Sequence, residues 1–233
     1  MTVYGLVLES GPQRKRTFVT VPALAGCVSN GPTTEEAVVA APDAIREFLR
    51  LLAERGERVD PEQKIEVKVE RHVTDNRWVG FGIELEQDLE PLSRAELEQQ
   101  LRWATWMGES MLGLLDGMSD EEFERKPAKG RPIRRIVEHV LGAEYGYVRR
   151  FGKIEGVKGP GNVEEMSRPE LMHWMAYMRE REMERLHAFR DEELREVSHG
   201  SSTVRTARGY MRKLLAHQWE HFVELRERLG TGG

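Results

Sequence analysis

Glu90-Pro91-Leu92-Ser93-Arg94-Ala95-Glu96-Leu97 is the stretch at which the chain changes period. Before it, apolar residues alternate with polar ones, the two-residue period of a strand. After it they recur every three or four residues, the period of a helix. Ser93 and Glu96 have the spacing of a capping box, in which each side chain satisfies the other residue's backbone N–H, so a helix starts here. Leu97, Leu101, Ala104, Gly108, Met111, Leu115 and Met118 then form one regular stripe. The reading is an α+β module over 1–90, followed by an all-α four-helix bundle over 91–233.

The downstream pattern supplies the other three helices. A second begins near Pro132, a good first-turn residue, and carries Ile136, Val140, Ala143 and Tyr147 to about Phe151. After the Gly- and Pro-containing stretch Gly152 to Asn162, Ser167 and Glu170 box a third, lined by Leu171, Met175, Met178, Leu186 and Phe189. Glu182 interrupts that stripe, which predicts a slightly rotated helix with Glu182 exposed. The fourth runs from near Thr203 to Leu229 and stops at Gly230. Four long amphipathic helices in succession argue a bundle.

Upstream, Val3 to Leu8 and Thr17 to Val21 are β-rich runs separated by the polar loop Gly11 to Arg16. Thr33 or Thr34 caps a helix from about Glu35 to Arg55, and Pro42 inside it predicts a kink or a start near Asp43. Ile65, Val67 and Val69 alternate with charged residues, as do Ile83 and Leu85. The turn signal Thr74-Asp75-Asn76 between them predicts a hairpin, hence a small antiparallel sheet with one helix.

The totals narrow the function classes. At 233 residues both modules can bury a core. Hydrophobic residues at 39% with 32% charged are ordinary for a globular protein, and a net charge of −5 gives no electrostatic footprint for nucleic acid. The basic clusters Arg14-Lys15-Arg16 and Arg134-Arg135 read as a loop tip and a solvated helix face. The single cysteine, Cys27, excludes an internal disulfide and a cysteine-based zinc site, and reads as inert and half-buried. No signal-peptide pattern and no membrane-length apolar run appear, so the expectation is a cytoplasmic protein with no membrane association.

The chemistry sits on the fourth helix, in Ala216-His217-Gln218-Trp219-Glu220-His221. An i, i+4 pair projects both imidazoles from one helix face. The inward stripe there reads Tyr210, Leu214, His217, His221, Leu225, Leu229, so both histidines occupy core positions. Buried imidazoles need a partner at each nitrogen. A divalent metal supplies one, zinc or nickel suiting three neutral imidazoles; hydrogen bonds to Glu or Tyr neighbours are the alternative. His139, beside Ile136, Val140 and Ala143 on the second helix, can face the interior as a third ligand. Glu144 and Glu220 are the candidates for acid/base help, or else solvated residues or outer hydrogen-bond acceptors. Trp103, Trp106, Trp174 and Trp219 read as packing residues or as an aromatic pocket mouth. His72, His173, His187 and His199 have no partner at ligand spacing and read as surface residues.

From about Leu92 to Leu229 the chain resembles the DinB/YfiT-like superfamily of four-helix bundles. The carrying residues are Leu101 to Trp106, Leu115 to Phe123, Ile133 to His139, and Thr203-Val204-Arg205 leading to Leu215 to His221. The resemblance implies a ligand triad of His139, His217 and His221. It also implies a metal-dependent thiol transferase, isomerase or hydrolase acting on a small molecule, with a low-molecular-weight thiol as co-substrate. The histidine-rich and Arg-Gly-Gln run that family members often carry near this pair is replaced here by Phe222-Val223-Glu224.

Residues 3 to about 56 resemble the HicB-like antitoxin fold, on Tyr4 to Glu9, Phe18 to Gly31 and the helix opening Thr34-Glu35-Glu36-Ala37. That implies a small sheet with a helix on one face, related to double-stranded-RNA-binding folds. Such a module in an antitoxin grips a toxin ribonuclease. Here the acid-rich helix Glu35 to Glu54 disfavours RNA, leaving a protein partner or a homodimer contact as its expected role. Two functions follow: a metal-dependent enzyme with an N-terminal interaction module, or a non-catalytic antitoxin-like or ligand-sensing protein.

Overall fold

In a computed structural model of the chain the described residues are 1–11, 16–75, 79–80, 83–150, 159, 161–199 and 204–230, the side chains of 147–150 excepted. Expectations on Arg14 and Lys15, Asn76, Tyr147 and Phe151, most of 152–162, and Thr203 lie outside them. Two compact units result: Met1–Glu96 with Glu192–Trp219, and Leu97–Asp191 with Glu220–Gly233. The last helix contributes to both.

The first unit opens with β1 (Thr2–Ser10), β2 (Thr17–Thr20) and β3 (Val28–Gly31), then α1 (Thr34–Glu54) and β4 (Ile65–Val73), in sheet order β3-β2-β1-β4. Leu6, Leu8 and Ser10 share one face of β1 by the pleat. On that face Ser10 bonds Thr17 at 2.8 Å and Thr17 bonds Thr34 at 3.0 Å, so the start of α1 lies over it. Ile45, Phe48 and Leu52 of α1 are fully or almost fully buried. Thr33 caps α1, its hydroxyl accepting from the Glu36 N–H at 3.2 Å. The helix continues through Pro42 instead of starting at Asp43; Pro42 forfeits one backbone bond, which the packed face outweighs.

The expected 65–69/83–85 hairpin does not form. β4 pairs in parallel with β1, from Thr2 opposite Ile65 to Glu9 opposite Val73, which makes the sheet mixed. A parallel pair needs a long crossover, and α1 supplies it. Alternation at 65, 67 and 69 serves a parallel neighbour as well as an antiparallel one, so the period could not choose between them. Ile83 and Leu85 are instead buried outside any strand, against Val7 and Val73.

Gly26 closes the β2–β3 connection, where Val21 donates to the Cys27 carbonyl at 3.1 Å and Cys27 to that of Leu24 at 2.9 Å. Its φ is +93°, and a Cβ there would lie 2.5 Å from Leu215 Cβ. The glycine of the Val-Pro-x-Leu-x-Gly-Cys-Val stretch is thus required twice, by backbone and by packing. Gly26→Ala is expected to destabilise the fold by about 2–4 kcal/mol in urea denaturation. A loss under about 0.5 kcal/mol would contradict this account of the turn. Cys27 itself is fully buried, not half-buried, and that burial, with Glu47's charge, pushes its thiol pKa up.

The helical region comprises α2 (Arg94–Leu115), α3 (Asp120–Glu124), α4 (Ile133–Arg150), α5 (Arg168–His187), α6 (Asp191–Arg195), the short pair β5 (Ser198–His199) and β6 (Val204–Arg205), and α7 (Ala207–Leu229). Ser93 and Glu96 form the expected box, with Glu96 N–H to Ser93 Oγ at 3.2 Å and Ser93 N–H to Glu96 Oε2 at 2.9 Å. Gly230 ends α7 at φ +67°. All seven residues of the stripe, six in α2 and Met118 just past its end, are buried.

The α5 stripe is buried at Glu182 too, at 1% exposure, correcting the expected exposed position. It belongs to a polar interior that also holds Arg179, whose Nε donates to the fully buried Glu144 at 2.8 Å. Gly108 gives Arg179 room: a Cβ there would come within 2.6 Å of Nη1.

Candidate metal centre

His217 and His221 stand one turn apart on α7 and are both buried, at 2% and 4% exposure. The stripe that carries them is buried from Tyr210 through Leu225, so the periodicity located these side chains correctly. His139 comes from α4. It is exposed, not interior, yet its ring meets that of His221 edge-on at 4.9 Å between centroids. One ring nitrogen from each of the three histidines lies within 4.8 Å of the others. Two ligands are therefore sheltered, and the third stands on the solvent side.

The donor set fits a divalent metal. Zn–N bonds of about 2.0–2.1 Å in tetrahedral geometry put ligand nitrogens roughly 3.4 Å apart. The three histidine nitrogens, within 4.8 Å of one another, stand near that spacing. His221 Nδ1 lies 2.8 Å from Glu224 Oε2; a carboxylate only accepts, so Nδ1 carries the proton and Nε2 keeps its lone pair. Outer carboxylates orient metal-binding imidazoles in this way. Although its outer edge meets solvent, the part of the His139 ring packed on His221 loses water. This first, then nearby positive charge such as that of Arg131, pushes its pKa below the ordinary 6.5, which favours the neutral ring.

Glu224 and Arg131 are the members that sequence reading missed. Arg131 grips Glu224 with two parallel bonds, Nε to Oε1 at 3.1 Å and Nη2 to Oε2 at 2.8 Å. Its Nη2 also stands 3.2 Å from His221 Nδ1. Burial alone would raise the Glu224 pKa, but the bonds from His221 and Arg131 outweigh it and bring it to about 2. The available signal was the three-residue step from His221 to Glu224 on one helix face. Nothing in the sequence pairs Arg131 with it across 93 positions.

Of the acid/base candidates, Glu220 is half-buried, and its charge acts on His139. Glu144 is not solvated; it is the buried partner of Arg179. Trp103 and Trp219 are core residues, Trp219 standing edge-on to Phe48 at 5.0 Å. Trp106 and Trp174 are half-buried, the latter against Tyr177 at 5.5 Å. His72, His173, His187 and His199 are exposed, and His72 bonds Ser10 at 2.9 Å.

Residues 103–225, more than half of the chain, match the family model described as the DinB superfamily. The chain belongs to the DinB superfamily. Residues 4–97 match a second model, described as the HicB_like antitoxin of a bacterial toxin-antitoxin system. No match was found among curated proteins or among solved structures. DinB proteins typically bind metal, and this DinB region carries a histidine cluster able to do so. Among the described residues no helix is long and apolar enough to cross a membrane.

Two outcomes are expected of Glu224→Gln. An amide lacks the charge that fixes His221, so zinc affinity measured by competition with a chelator should fall about 10–100-fold. The stability difference between native protein and variant should also depend on pH in one direction. The carboxyl has a folded pKa of about 2 against an ordinary 4.5, so its stabilisation is present above pH 4.5 and fades as pH falls towards 2. A constant difference across that range, followed by chemical denaturation, would show that Glu224 is not held in this pair.

Proposed function

We propose that this DinB-superfamily chain is a metal-dependent enzyme acting on a small molecule: a thiol transferase, an isomerase or a hydrolase, with a low-molecular-weight thiol as the favoured co-substrate. The supporting observation is the approach of three histidine nitrogens to within 4.8 Å, two sheltered and one on the solvent side. Three protein ligands leave coordination positions for water or substrate, the pattern of catalytic and not structural sites. Zinc or nickel held by His139, His217 and His221 would supply Lewis acidity and a lowered pKa for a bound thiol or water.

The chain's own residues do the rest. Glu224 holds His221 in one tautomer and orientation, and Arg131 holds Glu224 ionised. His139 stays neutral, as a ligand must. In this proposal Glu220, half-buried beside His139, is the acid/base group that would accept the proton of a thiol or water bound at the metal and return it to the product, while Glu144, buried and paired with Arg179, takes no part. Residues 91–233 carry the chemistry. Residues 1–90 bind a protein partner or a second copy of the chain.

Cobalt substitution tests the reading. Cobalt-loaded protein mixed with a low-molecular-weight thiol should develop a sulfur-to-cobalt charge-transfer band that His217→Ala abolishes. A cobalt spectrum that thiols and carbonyl substrates leave unchanged would sink the thiol reading. The antitoxin-like alternative draws on the match over 4–97. It would be favoured by a stable partner copurifying through 1–90 with no metal in the site.

A further inference from the structure

A pocket of about 190 Å³ opens beside the centre, between the end of α3, the segment entering α4 and the end of α7. Its charged lining is Arg125, Arg131, Arg228 and Glu122, over the apolar Ile133 and Leu229. Three guanidinium groups face Glu122 in the lining and Glu224 behind Arg131, so cations outnumber carboxylates by three to two. Glu122 stays ionised there, its Oε2 accepting from the Ser119 N–H at 3.1 Å and hydroxyl at 2.9 Å, and its charge acts on Arg125.

Two of the arginines are held by contacts of their own. Arg131 is oriented by its double bond to Glu224. Arg228 donates Nη1 to the Lys129 carbonyl at 2.7 Å. Its guanidinium lies flush on Gly130, whose φ is +81° and where a Cβ would overlap the Arg228 terminal nitrogens. A guanidinium fork matches two oxygens of one anion at once.

The geometry points to an oxyanion-binding subsite formed by Arg125, Arg131 and Arg228, taking a phosphate or carboxylate either free or carried by a larger molecule. Arg131 is shared between this pocket and the Glu224–His221 pair. An anion seated here therefore lies one side chain away from a histidine of the centre. This goes beyond the metal-centred reading and does not need it, because the pocket is built without the three histidines.

The test is calorimetric titration of chelator-treated full-length protein with inorganic phosphate and with butyl phosphate, at constant ionic strength in chloride. One saturable site per chain is expected, weakened about tenfold in Arg125→Gln/Arg228→Gln. Arg228→Lys, which keeps the charge and loses the fork, should weaken it comparably. Tighter binding of butyl phosphate would identify a group carried on a larger molecule; equal binding would identify the free anion. Arg125 and Arg228 are exposed, so thermal melts of the variants should match the native protein. Absence of saturation, or binding equally strong in both variants, would overturn the subsite. Either result is obtained without metal and leaves the metal reading to its own test.

Discussion

Asp88→Ala is expected to destabilise the protein by about 3–5 kcal/mol, the cost of leaving a buried guanidinium without its counter-charge. Arg212 donates Nε to Asp88 Oδ1 at 2.9 Å and Nη2 to Oδ2 at 2.7 Å. Both side chains are 6% exposed. The same Nη2 reaches the Ile83 carbonyl at 3.0 Å, and Asp88 Oδ2 accepts the Leu85 N–H at 3.0 Å. Thr206 adds a hydroxyl bond to the Asp88 carbonyl at 2.6 Å and accepts the Gly209 N–H at 3.0 Å. The pair thus fixes the segment carrying Ile83 and Leu85 and the first turn of α7. Asp88→Ala/Arg212→Met should recover part of the loss, because the guanidinium left without its counter-charge is removed too, while the Leu85 N–H and the Ile83 carbonyl still lose their partners. A single-variant loss below about 1 kcal/mol in equilibrium urea unfolding would mean that water reaches the pair.

The second large effect concerns metal-linked stability. Zinc at a hundredfold excess over its dissociation constant should stabilise the native protein by about 2.7 kcal/mol relative to chelator. In His217→Ala/His221→Ala that increment should vanish. Comparing each protein with and without zinc removes any packing effect of the substitutions. His139→Ala is the independent control, since that side chain is exposed and its removal creates no cavity. A zinc increment of native size in all three proteins would place the ion elsewhere.

Much of this was legible in the residues, for identifiable reasons. The switch of period after Pro91, the Ser93/Glu96 and Ser167/Glu170 boxes and Gly230 are local signals, and each sits at an element end. The burial of His217 and His221 followed from their stripe because helical phase is rigid over two turns. What escaped was non-local. Alternation at Ile65, Val67 and Val69 does not name the neighbouring strand, so it fits a hairpin as well as the parallel pair that β4 makes with β1. Glu182 looked misplaced because the polar interior around it depends on Glu144 of α4, which meets Arg179, three residues before Glu182 on α5, from a separate helix. Arg131 and Arg212 find their acidic partners 93 and 124 positions away, distances over which sequence carries no phase.

The most direct test of the central claim is metal content by elemental mass spectrometry on untagged protein, beside the His217→Ala/His221→Ala variant. The account predicts close to one zinc or nickel per chain in the native protein and none in the variant. No metal in the native protein, even after reconstitution with zinc and nickel, would contradict it and make these histidines packing residues of the bundle.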